Sequence, residues 1–126
     1  MVVRMKEFAL GVLEAKDIVT ELVVDKNVET IRLRMEARRD LFLIFKEAIN
    51  NAAKYSGATQ VLIYLACHQR RLVLTVKDNG VGFDPAKADG NGLGNMRKRA
   101  ELLRGRLKLT SKRGEGTTVV LNMPIG

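Results

Sequence analysis

The feature that most restricts how this chain can fold is a change of apolar period close to Gly57. Before it, Leu41, Ile44, Phe45, Ala48, Ile49 and Ala52 recur at i, i+3, i+4, i+7, i+8 and i+11, so residues 35–56 read as a helix with one buried stripe. After it, residues 59–67 and 71–77 alternate in period two across the polar His68-Gln69-Arg70, the pattern of an antiparallel hairpin with one covered face. A striped helix and a one-faced hairpin each need a cover, and each can supply it for the other. Gly57 is placed to end the helix.

The flanking segments repeat the theme. Met5, Phe8, Ala9, Val12 and Leu13 have helical spacing, and residues 18–24 are a strand rich in β-branched residues, followed by a polar turn at Asp25-Lys26-Asn27. A helix beginning near Asn95 or Met96 is stopped by Gly105, and Leu107, Leu109 and residues 117–123 form a last hairpin across Gly114-Glu115-Gly116. Helices mixed with mainly antiparallel strands define an α+β chain, a two-layer α/β sandwich with helices on one face of the sheet. There is no repeat or linker, and 126 residues suit one domain spanning 1–126.

Composition excludes several classes. With 46% apolar and 29% charged residues the chain has enough to bury and is not a disordered one. One cysteine, Cys67, cannot make an internal disulfide, and with His68 the only histidine a zinc scaffold has too few ligands. No stretch nears the ~20 apolar residues of a membrane span. Arg4, Lys6, Glu7 and Glu14 interrupt residues 1–17, which are therefore no signal peptide, and the chain is expected in the cytoplasm. Lys+Arg number 22 against 14 Asp+Glu, a net charge of +8, which suits a polyanionic partner such as a nucleotide or nucleic acid. Aromatics are only 5% and do not interleave with the basic runs, so surfaces for stacking single strands are poorly supplied and no nucleic acid is expected.

Three stretches carry chemistry. On the long helix Glu47, Asn51 and Lys54 share the shoulder of the apolar stripe. An amide there offers a neutral oxygen to Mg²⁺, an ammonium a charge to phosphate, and a carboxylate a base. Taken alone, an exposed Glu and Lys with a harmless Asn explain the triplet as well. In Asp78-Asn79-Gly80-Val81-Gly82, period two puts Asp78 on the side of Leu72, Leu74 and Val76, so a carboxylate is aimed at the interior. Such a group costs several kcal/mol unless something donates to it, either a ligand such as an adenine amino group or a backbone cap. Gly80 and Gly82 let the backbone bend and a flat ring approach, although an Asp-Asn-Gly turn needs no ligand. Gly90-Asn91-Gly92-Leu93-Gly94 opens a helix and so presents N–H groups to an anion, behind a polar stretch at 84–89 suited to a lid. Thr117 and Thr118 by default are ordinary strand residues.

In this order, Phe45-Lys46-Glu47-Ala48-Ile49-Asn50-Asn51-Ala52-Ala53-Lys54-Tyr55-Ser56, Asp78-Asn79-Gly80-Val81-Gly82-Phe83, Gly90-Asn91-Gly92-Leu93-Gly94 and Gly116-Thr117-Thr118 resemble the ATP-binding catalytic domain of two-component sensor histidine kinases, within the superfamily shared with gyrase and mismatch-repair ATPases. Four motifs in register over nearly the whole chain are far more specific than any one. The resemblance implies a Bergerat-type sandwich binding ATP or ADP with Mg²⁺. In it Asp78 accepts from the adenine amino group, Gly80 and Gly82 shape the adenine pocket, and Thr117 supports the base. It further implies that Asn51 holds Mg²⁺, Glu47 assists transfer, Lys54 and Tyr55 lie near the phosphates, and Gly92 and Gly94 form the second glycine box, with Arg97 and Arg99 as further phosphate contacts.

The family phosphorylates a histidine on a separate helical hairpin, and His68 is neither on a helix by pattern nor followed by an acid. The resemblance therefore implies a histidine-bearing dimerisation domain elsewhere in the same full-length protein, with a response regulator as indirect partner and membrane attachment only through upstream regions. Residues 1–17 would include the end of a connecting helix. A free-standing anti-sigma-type serine kinase of the same superfamily is the alternative, distinguished by an acid-stable phosphoserine product. A basic nucleic-acid module is a remoter one, distinguished by salt-sensitive DNA binding.

Overall fold

The computed structural model describes residues 1–55, 57–82 and 93–125, and for Tyr55 the backbone alone. In chain order the elements are α1 (Val2–Glu14), β1 (Val19–Val24), a 3₁₀ turn (Lys26–Thr30), α2 (Met35–Tyr55), β2 (Gln60–His68), β3 (Arg71–Asp78), α3 (Leu93–Leu102), β4 (Arg106–Lys112) and β5 (Gly116–Pro124). The sheet runs β1-β2-β3-β5-β4. β1 lies parallel to β2 because α2 carries the chain back between them, and every other pairing is antiparallel.

Strand register sorts the inward face into rows. Leu22, Ile63, Val76, Val119 and Leu109 align across all five strands, and Val24, Leu65, Leu74, Leu121 and Leu107 form the next row. Against these rows α2 lays Leu41, Ile44, Phe45, Ala48, Ile49 and Ala52, all buried, while α1 adds Met5, Ala9 and Leu13 and α3 adds Met96 and Ala100. The three helices thus share one core with one face of the sheet, the two-layer arrangement expected from the period change. Each of the leucine, isoleucine, valine, phenylalanine and methionine side chains fully buried here contributes ~1.5–3 kcal/mol on leaving water, and each alanine less.

Two boundaries differ from expectation. The polar turn after β1 is a 3₁₀ turn, because Val28 is buried at its centre while its N–H reaches the Asp25 carbonyl at 3.0 Å. α3 starts at Leu93 rather than near Met96. Leu93 packs on the core and is followed at helical spacing by the buried Met96 and Ala100, which outweighs the ~1 kcal/mol cost of Gly94 in the first turn.

A third inward row reads Thr20, Val61, Asp78, Thr117 and Ser111. Gly116 is what lets it close. Its φ is +84°, and a Cβ there would stand 2.2 Å from the Asp78 carbonyl oxygen, whereas Gly114, with φ +83°, faces open space. Gly114→Ala is therefore expected to lose only the ~1–2 kcal/mol of left-handed strain, and Gly116→Ala at least twice that, read as the difference in urea unfolding free energy.

Candidate nucleotide site

β3 delivers Asp78 to the inward face at its C-terminal end, in line with Leu72, Leu74 and Val76, and leaves the residue 7% exposed. The facing read from the alternation is the one observed. The Gly80 N–H donates to Asp78 Oδ1 at 2.9 Å, so the chain itself supplies part of the donation that burial demands. Burial raises the carboxyl above its ordinary value of 3.8, against the opposing pull of the Gly80 and Thr117 backbone N–H groups.

Thr117 stands directly opposite Asp78 on β5. Its Oγ1 lies 2.8 Å from Ser111 Oγ, which also donates to the Gly116 carbonyl at 3.3 Å. Ser111 was not singled out in the sequence. Leu107 and Leu109 place it on the inward face by period two, but only the register of β4 on β5 puts it beside Thr117. Asn79 is a second residue that spacing alone does not reveal. Its Oδ1 accepts from the N–H groups of Thr59 and Gln60, both at 2.9 Å, and its Nδ2 donates to Thr59 Oγ1 at 2.9 Å, which ties the turn after β3 to the start of β2.

Gly82, with φ +68°, is needed as glycine by the protein's own packing: a Cβ there would lie 2.0 Å from the Lys112 carbonyl oxygen in the β4–β5 hairpin. Gly80 is buried beside Asp78. Gly94 sits in the first turn of α3, exposed, and none of the described residues lies within 4 Å of where its Cβ would be. Gly92, the rest of the glycine stretch at 90–92, the expected lid at 84–89 and the Tyr55 side chain lie outside the described residues.

α2 carries Glu47 and Asn51 half-buried and Lys54 exposed, the shoulder of the stripe as expected. Glu47 borders a cleft of about 200 Å³ between α2 and α3, shared with Asn95 and Arg99, so the start of α3 and the acid of α2 line one space. Arg99 is not free for phosphate. Its Nη1 donates to Oδ1 of Asp40 at 3.1 Å, and Asp40 is 5% exposed, so the pair clasps α3 to α2. Arg97 is exposed.

Fold and site together define a nucleotide-binding α/β sandwich, and comparison with known proteins agrees. Residues 36–126 match the family described as histidine kinase-, DNA gyrase B- and HSP90-like ATPases, and the chain belongs to that family. It is 34% identical over 87 residues to the signal transduction histidine-protein kinase/phosphatase DegS of Brevibacillus brevis, covering 68% of this chain and 22% of that protein. It is 37% identical over 91 residues to the sensor histidine kinase ComP of Bacillus subtilis strain 168, covering 69% of this chain and 12% of that one. The blue-light activated histidine kinase EL346 of Erythrobacter litoralis superposes with a TM-score of 0.80 at 19% identity, over 96% of this chain and 40% of that one, which shows the shared fold. These relatives put the chain with the ATP-binding catalytic domains of sensor histidine kinases.

The raised carboxyl has a consequence for stability. Between 3.8 and its folded value Asp78 binds more protons folded than unfolded, so its contribution worsens as pH rises through that window and stays unfavourable above it. Asp78→Asn is expected to remove this slope: its unfolding free energy relative to the parent should rise from acid to neutral pH, measured by urea titration at each pH.

Proposed function

We propose that residues 1–126 form one ATP-binding domain of a longer cytoplasmic or membrane-attached sensor kinase, which presents the γ-phosphate of ATP to a histidine on a separate dimerisation domain and so feeds a response regulator. The chain spans 22% and 12% of the length of DegS and ComP, which leaves most of such a protein to other segments. The observation that carries the reading is the Asp78 carboxylate, buried at the end of an apolar row with Gly80 and Thr117 N–H groups beside it and its carboxyl still raised by burial.

An adenine fits that deficit. Its exocyclic amino group donates to Asp78, while Thr117, held in place through Ser111, supports the same edge of the base, and buried Gly80 lines it. Gly82 keeps the wall of this pocket thin by letting the β4–β5 hairpin close on the turn after β3. The phosphates then extend toward α2 and the start of α3. There the first turn of α3 offers N–H groups to an anion beside exposed Gly94, which no described residue requires to be glycine. Lys54, exposed at the end of α2, contributes charge, and the resemblance assigns Gly92 and Tyr55 to the same phosphate-binding role.

Asn51 and Glu47, one turn apart and both half-buried, fit a Mg²⁺ ion. This ion takes few protein oxygens and completes its shell with phosphate and water, so one amide oxygen suffices, and when bound it neutralises phosphate charge. Glu47, facing the cleft, takes the proton from the incoming imidazole, and the rest of the rate comes from positioning.

In calorimetric titration with Mg²⁺-ADP, Asp78→Asn should lose about 10- to 100-fold in affinity, the worth of a charge-assisted hydrogen bond. Unchanged affinity in that folded variant would remove the assignment of the pocket. With ATP and a histidine-bearing domain, Glu47→Gln should bind nucleotide like the parent yet form acid-labile phosphohistidine at least about 100-fold more slowly.

A further inference from the structure

A groove of about 580 Å³ runs between the N-terminal part of α1 and the N-terminal half of α2, away from Asp78. Its rim holds Arg4, Arg38, Arg39 and Lys46, and no acidic residue lines it. Its apolar members are Phe42, Leu43, Met1 and Met35, the last 73% exposed. The α2 members recur at 35, 38, 39, 42 and 46, so they form a second stripe beside the one that builds the core.

Aromatic packing fixes the rim. Phe8 of α1 meets Phe42 of α2 edge to face at 5.8 Å; the Arg4 guanidinium sits 4.5 Å above the Phe42 ring, and the Lys46 ammonium 5.7 Å from that of Phe8. Among the described residues none of the four cations pairs with an acid; the ion pair formed there is Arg99 with Asp40. Four like charges held around one apolar trough repel one another, an arrangement relieved by a ligand that brings both carboxylates and an apolar ridge.

We infer that this groove docks an acidic amphipathic helix of a partner protein, its apolar ridge on Phe42 and Met35 and its Asp or Glu side chains against Arg4, Arg38, Arg39 and Lys46. The groove is as long as about three turns of α2, the span of one short helix laid alongside. A bilayer surface fits less well, because α1 already spends Met5, Ala9 and Leu13 on the core. The inference does not rest on the nucleotide reading, since no residue proposed for ATP lines this groove.

The test is a displayed library of helices about 18 residues long, with Leu fixed at helical spacing and Glu, Lys, Gln or Ser elsewhere, selected on the full chain. Winners should carry an excess of Glu flanking the Leu stripe, and their affinity by fluorescence anisotropy should weaken with salt. It should also fall at least about ten-fold in Arg38→Glu/Arg39→Glu, which places acids near a helix N-terminus and is expected to fold. Arg106→Glu/Lys108→Glu on the exposed strand β4, with the same charge change, should leave it unaltered. Enrichment no greater than on the Arg38→Glu/Arg39→Glu chain, winners without excess acid, or equal loss in the β4 control overturns the inference. So does sedimentation with phosphatidylglycerol vesicles through Arg38 and Arg39 when no helix binds.

Discussion

A carboxylate at the end of an apolar row is the constraint on which the site is built. The inward face of the sheet is two rows of leucine, isoleucine and valine, and the next row along the same strands reads Thr20, Val61, Asp78, Thr117 and Ser111. Packing holds the first two rows rigid, so the third inherits their precision. Burying Asp78 raises the free energy of its ionised form, and the neighbouring backbone N–H groups return only part of it. The remainder is available to a ligand donor, which is how a destabilising residue becomes a specific one.

The turn after β3 shows how the backbone accommodates that row. Asn79 anchors it to β2 through three hydrogen bonds, and the glycines at 82 and 116 let it press against the β4–β5 hairpin where any side chain would collide with a carbonyl. The glycines are thus explained by two different contacts. Gly82 and Gly116 answer to the protein's own packing, whereas Gly94 meets none of the described residues.

Much of this was legible in the sequence because periodicity reports facing. The stripe from Leu41 to Ala52, both hairpins and the inward aim of Asp78 follow from counting residues, and the boundary of α2 matches to within a residue. What periodicity does not carry is register. That Thr117 lies opposite Asp78 depends on how β3 and β5, separated by α3 and β4, align, and no local pattern encodes it; Ser111 meets Thr117 through the register of the β4–β5 hairpin. Partner choice was equally hidden: Arg99 looked available to phosphate until the fold brought it to Asp40, a residue whose burial its own helix pattern does not announce. The start of α3 was read late because glycines weaken the helical signal, although Leu93 continues the spacing of Met96 and Ala100.

Strand order adds one more implication. Because β5 inserts between β3 and β4 in space while following both in the chain, the polar row stays incomplete until the last strand is in place. Non-local pairing of this kind is slow and comes late in folding, so nascent or partly unfolded chains lack the assembled Asp78–Thr117–Ser111 row, and with it the pocket proposed for adenine. Ligand occupancy would then act on the native state alone, and cellular nucleotide would serve as a folding clamp, shielding finished copies of the chain from unfolding and proteolysis.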